Sequence, residues 1–243
     1  MMFLPLASSS KGNAYLVSGS DATILLEAGL TMKELRKRSP VQISSLDAAF
    51  ITHEHMDHAK CVKKLCDIGV PVYMSEGTAI ALDLEEANIM EQHETVEVGS
   101  LRITAFDTYH NTAQPFGYAI EDANTKERLL FAVDTVNLNV RWSGLTQVAI
   151  ECNYADELLG RLSRLPDKVK ERIRRSHMEI ETTIKYLHKL DLSKVRRIWL
   201  LHMSSSSGDA GRFLERFERE FPGINIRICK DSNLQRMKGE KRC

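Results

Sequence analysis

The sequence lacks several features that would place the chain in a specialised class. No run of apolar residues approaches the roughly 18 residues of a membrane-spanning helix. The five cysteines are scattered and form no Cys-x-x-Cys pair, which argues against a disulfide framework or a thiolate zinc site. Lys and Arg number 33, as do Asp and Glu, so the chain has no basic excess of the kind that nucleic-acid packaging proteins use.

Targeting and linker signals are also missing. The first seven residues are apolar but have no basic region and are too short for a signal peptide, so a cytoplasmic protein without a membrane partner is expected. The 243 residues, 43% of them hydrophobic, suffice for a sizeable core. Without repeats or a Pro/Gly-rich linker, they predict a single domain over residues 1–230 and a flexible basic tail over 231–243.

The spacing of apolar residues predicts a strand-rich first half and a more helical second half. The predicted strands are 13–18, 23–28, 47–52, 70–74, 95–98, 101–106, 117–121, 128–133, 147–151, 195–201 and 224–229. The predicted helices are 59–68, 156–165, 167–175, 179–190 and 210–221. Runs of strands, then helices, then strand–helix–strand predict an α+β fold with two sheets sandwiched between outer helices.

Residues that bear chemistry concentrate in one short segment, 53–58, which reads His-Glu-His-Met-Asp-His and follows a predicted strand. In an extended chain, residues two apart face the same way, so His53 and His55 can bind one metal ion. Asp57 and His58 follow where the chain turns into a helix. Imidazole and carboxylate ligands suit zinc and can also hold iron or manganese. A chance polar turn is the alternative, but this density of ligands at a strand end favours a metal site.

The pattern His-x-His-x-Asp-His resembles the metallo-β-lactamase superfamily, and the resemblance covers nearly the whole chain. It implies three later ligands, and candidates occur in the right order at or just past strand ends. The implied grouping is one metal ion on His53, His55 and His110, a second on Asp57, His58 and His202, and Asp134 as the bridge. Two zinc ions are expected, with manganese as the alternative.

An aspartate at the bridging position looks like the phosphodiesterase branches of this superfamily. Ser-His-Met-Glu at 176–179 is similar to a segment of tRNase Z and YycJ-type proteins whose histidine protonates the leaving oxygen. Glu151 resembles a family glutamate that could orient His177; the alternative is a His177 without a chemical role. The candidate catalytic residues are Asp57, His177 and Glu151, with a metal-bound hydroxide as the implied nucleophile.

Two N-terminal segments resemble the same branch: Ser-Ser-Ser-Lys-Gly-Asn at 8–13 and Leu-Leu-Glu-Ala-Gly-Leu at 25–30, where Glu27 replaces the usual aspartate. The combined pattern looks closest to small phage or prophage enzymes such as the anti-Pycsar phosphodiesterases. That resemblance implies hydrolysis of 3′,5′-cyclic nucleotides such as cyclic CMP and cyclic UMP. It also implies a homodimer, acting in the host cytoplasm if the chain is phage-encoded.

Two other functions stay open. One is a YycJ-like nuclease acting on DNA or RNA; the other is a protein that binds metal without turnover. The basic segment 161–175 could attract a nucleic-acid strand or could be an ordinary solvated helical face. Tyr109, which precedes a candidate ligand, is expected to point into the core.

Overall fold

The computed structural model describes residues 1–229, and the tail predicted at 231–243 lies outside the described residues. Two β-sheets pack face to face, and helices cover the outer face of each sheet. The predicted α+β sandwich of two sheets between outer helices is therefore confirmed. The domain boundary at residue 230 stays a prediction.

The first sheet is built from the first third of the chain. Its strands are β1 Met2–Ser9, β2 Gly12–Ser18, β3 Thr23–Leu26, β4 Ala48–Phe50, β5 Val72–Met74 and β6 Asn88–Ile89, in that spatial order. The outer helices of this half are α1 Met32–Arg38, α2 Met56–Ala59, α3 Val62–Asp67 and α4 Glu76–Leu82. The pairing is antiparallel from β1 to β3 and parallel from β3 to β6.

The second sheet repeats this plan. Its strands are β7 Thr95–Val98, β8 Leu101–Asp107, β9 Phe116–Asp122, β10 Arg128–Ala132, β11 Gln147–Glu151, β12 Arg197–Leu201 and β13 Asn225–Ile228, again neighbours in chain order. The helices are α5 Asp156–Arg161, α6 Asp167–Ser176, α7 Ile180–Leu187 and α8 Ala210–Glu220. The pairing is antiparallel from β7 to β10 and parallel from β10 to β13.

Aromatic side chains lock the two sheets together. Phe3 and Tyr15 of the first sheet lie against Phe131 and Trp199 of the second, with ring centroids 5.2 Å apart for Tyr15 and Phe131. Burial of such rings is a major source of stability, and their fixed geometry sets how the sheets meet. The strand ends of both sheets are thereby held in register at one edge of the sandwich.

The single helix predicted at 59–68 is wrong, because the chain forms α2 and α3 with a break at Cys61. The loop after β3 causes the break. The amide of Ala28 donates to the carbonyl of His58, and the carbonyl of Ala28 accepts from the amide of Cys61. Helical geometry cannot continue where these backbone groups pair with another segment.

The sequence pattern does not predict four of these elements: β1, the two-residue β6, α1 and α4. The helix α1 does carry a sequence signal, since Thr31 and Glu34 form a reciprocal capping box at its start. The strand β1 contains Pro5, a residue that disfavours strand interiors, so its apolar residues alone do not indicate a strand. Among the described residues, no helix combines the length and apolar character needed to cross a membrane.

Candidate metal centre and active site

The candidate residues come from separate parts of the chain but meet where the strands of both sheets end. Parallel strands present their carboxyl ends at one edge, where sites in such sheets commonly form. The segment 53–58 follows β4, His110 follows β8, Asp134 follows β10, Glu151 ends β11, His177 follows α6 and His202 follows β12.

His53, His55 and His110, here called the outer group, present three ring nitrogens to one point. His55 Nδ1 lies 3.2 Å from His53 Nε2 and 3.3 Å from His110 Nε2. Ligands at about 2.0–2.1 Å around a tetrahedral zinc ion would be about 3.3–3.4 Å apart. The group is therefore spaced as three vertices of a metal-binding tetrahedron.

Asp57, His58 and His202, here called the inner group, form a second cluster. Asp57 Oδ2 lies 3.5 Å from His58 Nε2 and 3.6 Å from His202 Nε2. Both imidazoles are buried, and His202 Nε2 has no hydrogen-bond partner among the described residues. A buried polar atom without a partner is costly, and a bound cation would satisfy it.

Asp134 joins the two groups. Its Oδ2 is 3.1 Å from His58 Nε2 and 3.7 Å from the Nε2 atoms of both His53 and His110. Each group, taken together with Asp134, has ligand atoms that all lie within 4.8 Å of one another. Asp134 Oδ1 also lacks a hydrogen-bond partner among the described residues. This donor set fits two divalent cations that share one carboxylate.

The electrostatics of the two groups differ. In the outer group, burial lowers the pKa of the His53 and His110 imidazoles, which favours the neutral rings that bind a cation. In the inner group burial has the same tendency, but the charge of Asp134 outweighs it. The pKa of His58 is raised well above its ordinary value, with Glu27 contributing, and the pKa of His202 is raised to about 10. A cation at the inner group would therefore compete with protons on these two rings.

The carboxylates respond in the opposite direction. Burial alone would raise the pKa of Asp134, but the charges of His202 and His58 hold it well below its ordinary value. Burial would likewise raise the pKa of Asp57, but its close polar contacts with His202 and His58 lower it instead. Asp134 and Asp57 thus stay ionised and are available to a cation.

His177 lies beside this centre and is held by Glu151. Its Nδ1 donates to Glu151 Oε1 at 2.7 Å and lies 3.7 Å from Asp134 Oδ1. Burial would lower the pKa of His177, but the charge and hydrogen bond of Glu151 outweigh it and raise that pKa. Glu151 is itself fixed, since its Oε2 accepts from the amides of Thr135 and Met178.

A buried network from the first sheet supports the inner group. The amide of His202 donates to Ser8 Oγ at 2.8 Å, and Asn13 Nδ2 lies 3.0 Å from His58 Nε2. The hydroxyl of Tyr15 lies 2.8 Å from Ser8 Oγ and donates to Asn13 Oδ1, which joins the two contacts. Sequence reasoning gave these residues no role in the site. The available signal was the family-like segment at 8–13.

Glu27 lies beneath His58, with Oε2 3.4 Å from His58 Nδ1, and it is fully buried. The longer glutamate therefore still reaches the histidine that an aspartate would face. The chain then passes very close to the metal-binding segment: a Cβ on Gly29 would lie 1.6 Å from the carbonyl oxygen of Asp57. Only glycine permits this approach.

Three site residues have left-handed backbone conformations that non-glycine residues rarely adopt. The φ angles are 66° at Glu27, 48° at Asp134 and 51° at His202. Each such residue costs of order 1–3 kcal/mol, which the surrounding structure must offset. Local strain thus accompanies the placement of three of the charged groups.

A cavity of about 980 Å³ opens over the centre. His55, Asp57, Asp134, His177 and His202 all face into it. The half-exposed Tyr109 also lines it, so the expectation that this ring points into the core is wrong. The reason is that Tyr109 lies beyond the end of β8, where its hydroxyl accepts from Asn139 Nδ2 at the surface.

Comparison with known proteins decides the family. The model of the β-lactamase superfamily domain matches residues 22–203, which is most of the chain. The chain belongs to the β-lactamase superfamily. It is 29% identical over 219 residues to exodeoxyribonuclease YycJ of Bacillus anthracis, covering 83% of this chain and 82% of that relative.

Two solved structures share the fold. The metallo-β-lactamase fold protein YhfI of Bacillus subtilis superposes with a TM-score of 0.70 at 14% identity, covering 94% of this chain and 95% of that one. The short form of human tRNase Z gives 0.62 at 16% identity, covering 95% and 97%. Together with the His/Asp clusters, the family identifies this superfamily member as a metal-dependent hydrolase.

The structure brings every predicted site residue to the edge of the sandwich where the strands of both sheets end. The seven predicted metal ligands form the two predicted groups around Asp134, and the predicted pair of His177 and Glu151 is hydrogen-bonded. The resemblance to the metallo-β-lactamase superfamily is confirmed. The individual roles of these residues in metal binding and catalysis remain predictions.

Proposed function

We propose that this chain is a metal-dependent phosphodiesterase that cleaves nucleotide linkages, with linear DNA as the principal substrate. The observation that carries the proposal is the hydrogen-bonded pair of His177 and Glu151 beside the shared carboxylate Asp134. A hydrolase that attacks phosphodiesters needs a proton donor for the departing alkoxide, which is a poor leaving group. The similarity to an exodeoxyribonuclease over most of both chains supports DNA.

The proposed metal ligands are the outer group, the inner group and Asp134, holding two divalent cations. Zinc suits the imidazole-rich set, and manganese is the alternative. When bound, such cations supply Lewis acidity and make water nucleophilic at neutral pH. Asp57 then serves both as a ligand and, through its position in the cavity, as a group that faces the substrate.

The chain's own residues perform the proton transfer. Glu151 accepts from His177 Nδ1, so the ring is held in one orientation and its protonated form is stabilised. The other ring nitrogen, Nε2, remains to face the leaving group. As water attacks phosphorus and the P–O bond breaks, the proton of Nε2 passes to the departing sugar oxygen. Glu151 stays ionised throughout and acts by positioning.

Hydrolysis of 3′,5′-cyclic nucleotides, including cyclic CMP and cyclic UMP in the manner of anti-Pycsar enzymes, is the second candidate. The cavity volume of about 980 Å³ favours it in one respect, because it falls within the range of about 300–1,000 Å³ typical of small-ligand sites. The same proton donor would serve the ring-opening reaction. The two candidates differ in whether the substrate continues beyond one phosphate.

A hydrolysis panel tests the proposal. With zinc or manganese added, the protein is given cyclic CMP, UMP, AMP and GMP, bis-p-nitrophenyl phosphate, and end-labelled linear DNA beside a closed circle of the same sequence. Shortening of the linear DNA with the circle intact supports the exonuclease. Turnover of the cyclic nucleotides alone supports the second candidate, and no cleavage by protein that holds two metal ions overturns the phosphodiesterase.

The assembly and location of the enzyme are part of the proposal. We expect a cytoplasmic homodimer, located in the host cytoplasm if a phage encodes the chain. Light scattering coupled to gel filtration tests the dimer, and a monomer under all metal conditions would contradict it.

A further inference from the structure

The helix α6 forms one wall of the cavity over the metal centre. Its residues Lys168, Glu171, Arg172 and Arg175 all line that cavity. Two contacts hold the helix end against the centre. The carbonyl of Ser176 accepts from His110 Nδ1 at 2.8 Å, and His177 is bound to Glu151. The position of this wall relative to the candidate scissile site is therefore fixed.

Lys168, Arg172 and Arg175, here called the α6 face, follow the spacing i, i+4, i+7, which places them along one side of a helix. All three are exposed. Within residues 1–229, neither Lys168 nor Arg172 makes an ion pair. Arg175 pairs with Glu171, but both side chains are largely exposed, and such pairs are weak and exchange readily.

The other basic residues of the segment 161–175 are arranged differently. Arg174 Nε donates to Asp156 Oδ1 at 2.6 Å, and Lys170 pairs with Asp167 and donates to the carbonyl of Gly160. Neither lines the cavity, nor do Arg161 and Arg164. The structure thus distinguishes basic side chains that line the cavity from those that do not, a distinction that the sequence left open.

We propose that the α6 face is a second phosphate subsite, which binds the part of a DNA strand that continues beyond the scissile phosphate. This inference rests on the proposed function and gives its substrate class as a polynucleotide strand. At about 1.5 Å of rise per residue, Lys168 and Arg175 are separated by about 10 Å along α6. That length matches the axial rise of about three nucleotides in one strand of a duplex.

The geometry separates two substrate classes. A cyclic mononucleotide has one phosphate, and the metal centre would take it, leaving the α6 face without a ligand. A strand presents further phosphates at regular intervals, and Arg and Lys are the residues that bind them. Tyr109, which lines the same cavity, offers an exposed ring on which a base can stack.

The experiment compares Lys168→Ala/Arg172→Ala with Arg161→Ala/Arg164→Ala. Both double variants remove two positive charges, but only the first pair lines the cavity. For each protein, kcat and KM are measured on a single-stranded 12-nucleotide DNA and on a dinucleotide with one phosphodiester. Binding of a phosphorothioate 12-nucleotide strand, which resists cleavage, is followed by fluorescence anisotropy over a range of salt concentrations. An RNA strand of the same length distinguishes DNA from RNA as the source of the phosphates.

We expect Lys168→Ala/Arg172→Ala to raise KM for the 12-nucleotide strand by about tenfold or more, and to raise it much less for the dinucleotide. The slope of log affinity against log salt concentration should fall by about 1.4, the value for two lost contacts to a single strand. The control pair should behave like the wild type. Equal losses on both substrates, or equal salt slopes in the two double variants, would overturn the proposal that the α6 face binds phosphates.

Failure of the proposed function has a different signature. If the wild type cleaves neither DNA substrate, the phosphodiesterase is wrong. The anisotropy measurement then still decides whether the α6 face binds a strand, since it requires no cleavage.

Discussion

The outer and inner groups of the candidate metal centre differ in their ligands and in the residues that support them. The outer group consists of imidazoles, of which His55 is exposed and His53 is buried, and uncharged contacts from Thr52 and the carbonyl of Ser176 support two of its rings. The inner group has two buried imidazoles and a partly exposed carboxylate, and it is supported by Ser8 and Asn13 of the first sheet and by Glu27 of the loop after β3. Members of both groups line the cavity, but the fold supports the inner group with the buried carboxylate of Glu27, whereas the outer group has, among the described residues, only uncharged supports.

The largest effect is expected when Asp134, the carboxylate that the two groups share, is removed. Asp134→Ala deletes the only carboxylate that, among the described residues, belongs to both clusters, so we expect hydrolysis to fall by at least about 10³-fold. Metal analysis of the purified variant should show fewer than two ions per chain. Asp107→Asn is the matched control, because Asp107 is an exposed carboxylate at the end of β8, outside both groups. Full metal content with full activity in Asp134→Ala would show that Asp134 is not a shared ligand.

The next test leaves both groups intact and removes the proton donor. We expect His177→Ala to lower kcat on DNA by about 10²–10⁴-fold while two metal ions per chain are retained. The loss on bis-p-nitrophenyl phosphate should be much smaller, because p-nitrophenolate leaves without protonation. The two substrates are compared in parallel with His188→Ala, an exposed histidine remote from the centre. Equal losses on both substrates would show that His177 acts through metal binding instead.

The supports behind the two groups should differ in strength. Glu27→Gln removes a buried charge beneath His58 and should weaken one of the two bound ions by about 10–100-fold, with activity restored by excess metal. Thr52→Val removes only a hydroxyl that lies 2.8 Å from His53 Nδ1 in the outer group, and its effect should be smaller because the contact is uncharged. Stepwise metal titration of both variants measures the two affinities. A larger effect of Thr52→Val would show that the outer group depends more on its support than the inner group does.

The smallest effect concerns stability. Ser8→Ala leaves the amide of His202 without its acceptor in a buried position, which should cost about 1–3 kcal/mol of unfolding free energy. Urea denaturation of metal-depleted protein measures this cost. Ser10→Ala, a nearby exposed serine, is the control. An unchanged midpoint for Ser8→Ala would show that the strained backbone at His202 needs no support from β1.

The difference between the groups also explains how much the sequence could predict. The segment 53–58 is contiguous, so its ligands are visible as a pattern, and the later ligands His110, Asp134 and His202 were placed through resemblance. The supports could not be found in this way, because Ser8 and His202 are 194 residues apart and meet only when the two sheets pack. Family likeness pointed to the segment 8–13 but not to its contacts.

The fold shows the same limit. Periodicity located most of the strands, since each buries an alternating or continuous apolar face. It did not locate the break at Cys61, because that break depends on backbone hydrogen bonds with Ala28, which lies in the distant loop after β3. It also left the basic segment 161–175 ambiguous, because helical spacing alone does not show which face of α6 meets a cavity.

The proposed cleavage of phosphodiesters requires a cation in both the outer and the inner group. The most direct measurement strips the protein with a chelator and titrates zinc or manganese back. Bound metal and cleavage of linear DNA are followed in the same samples. We predict that cleavage rises only as the second ion binds each chain. Full cleavage with a single bound ion would show that the second ion is not required. No cleavage with two bound ions would show that the chain is not a phosphodiesterase.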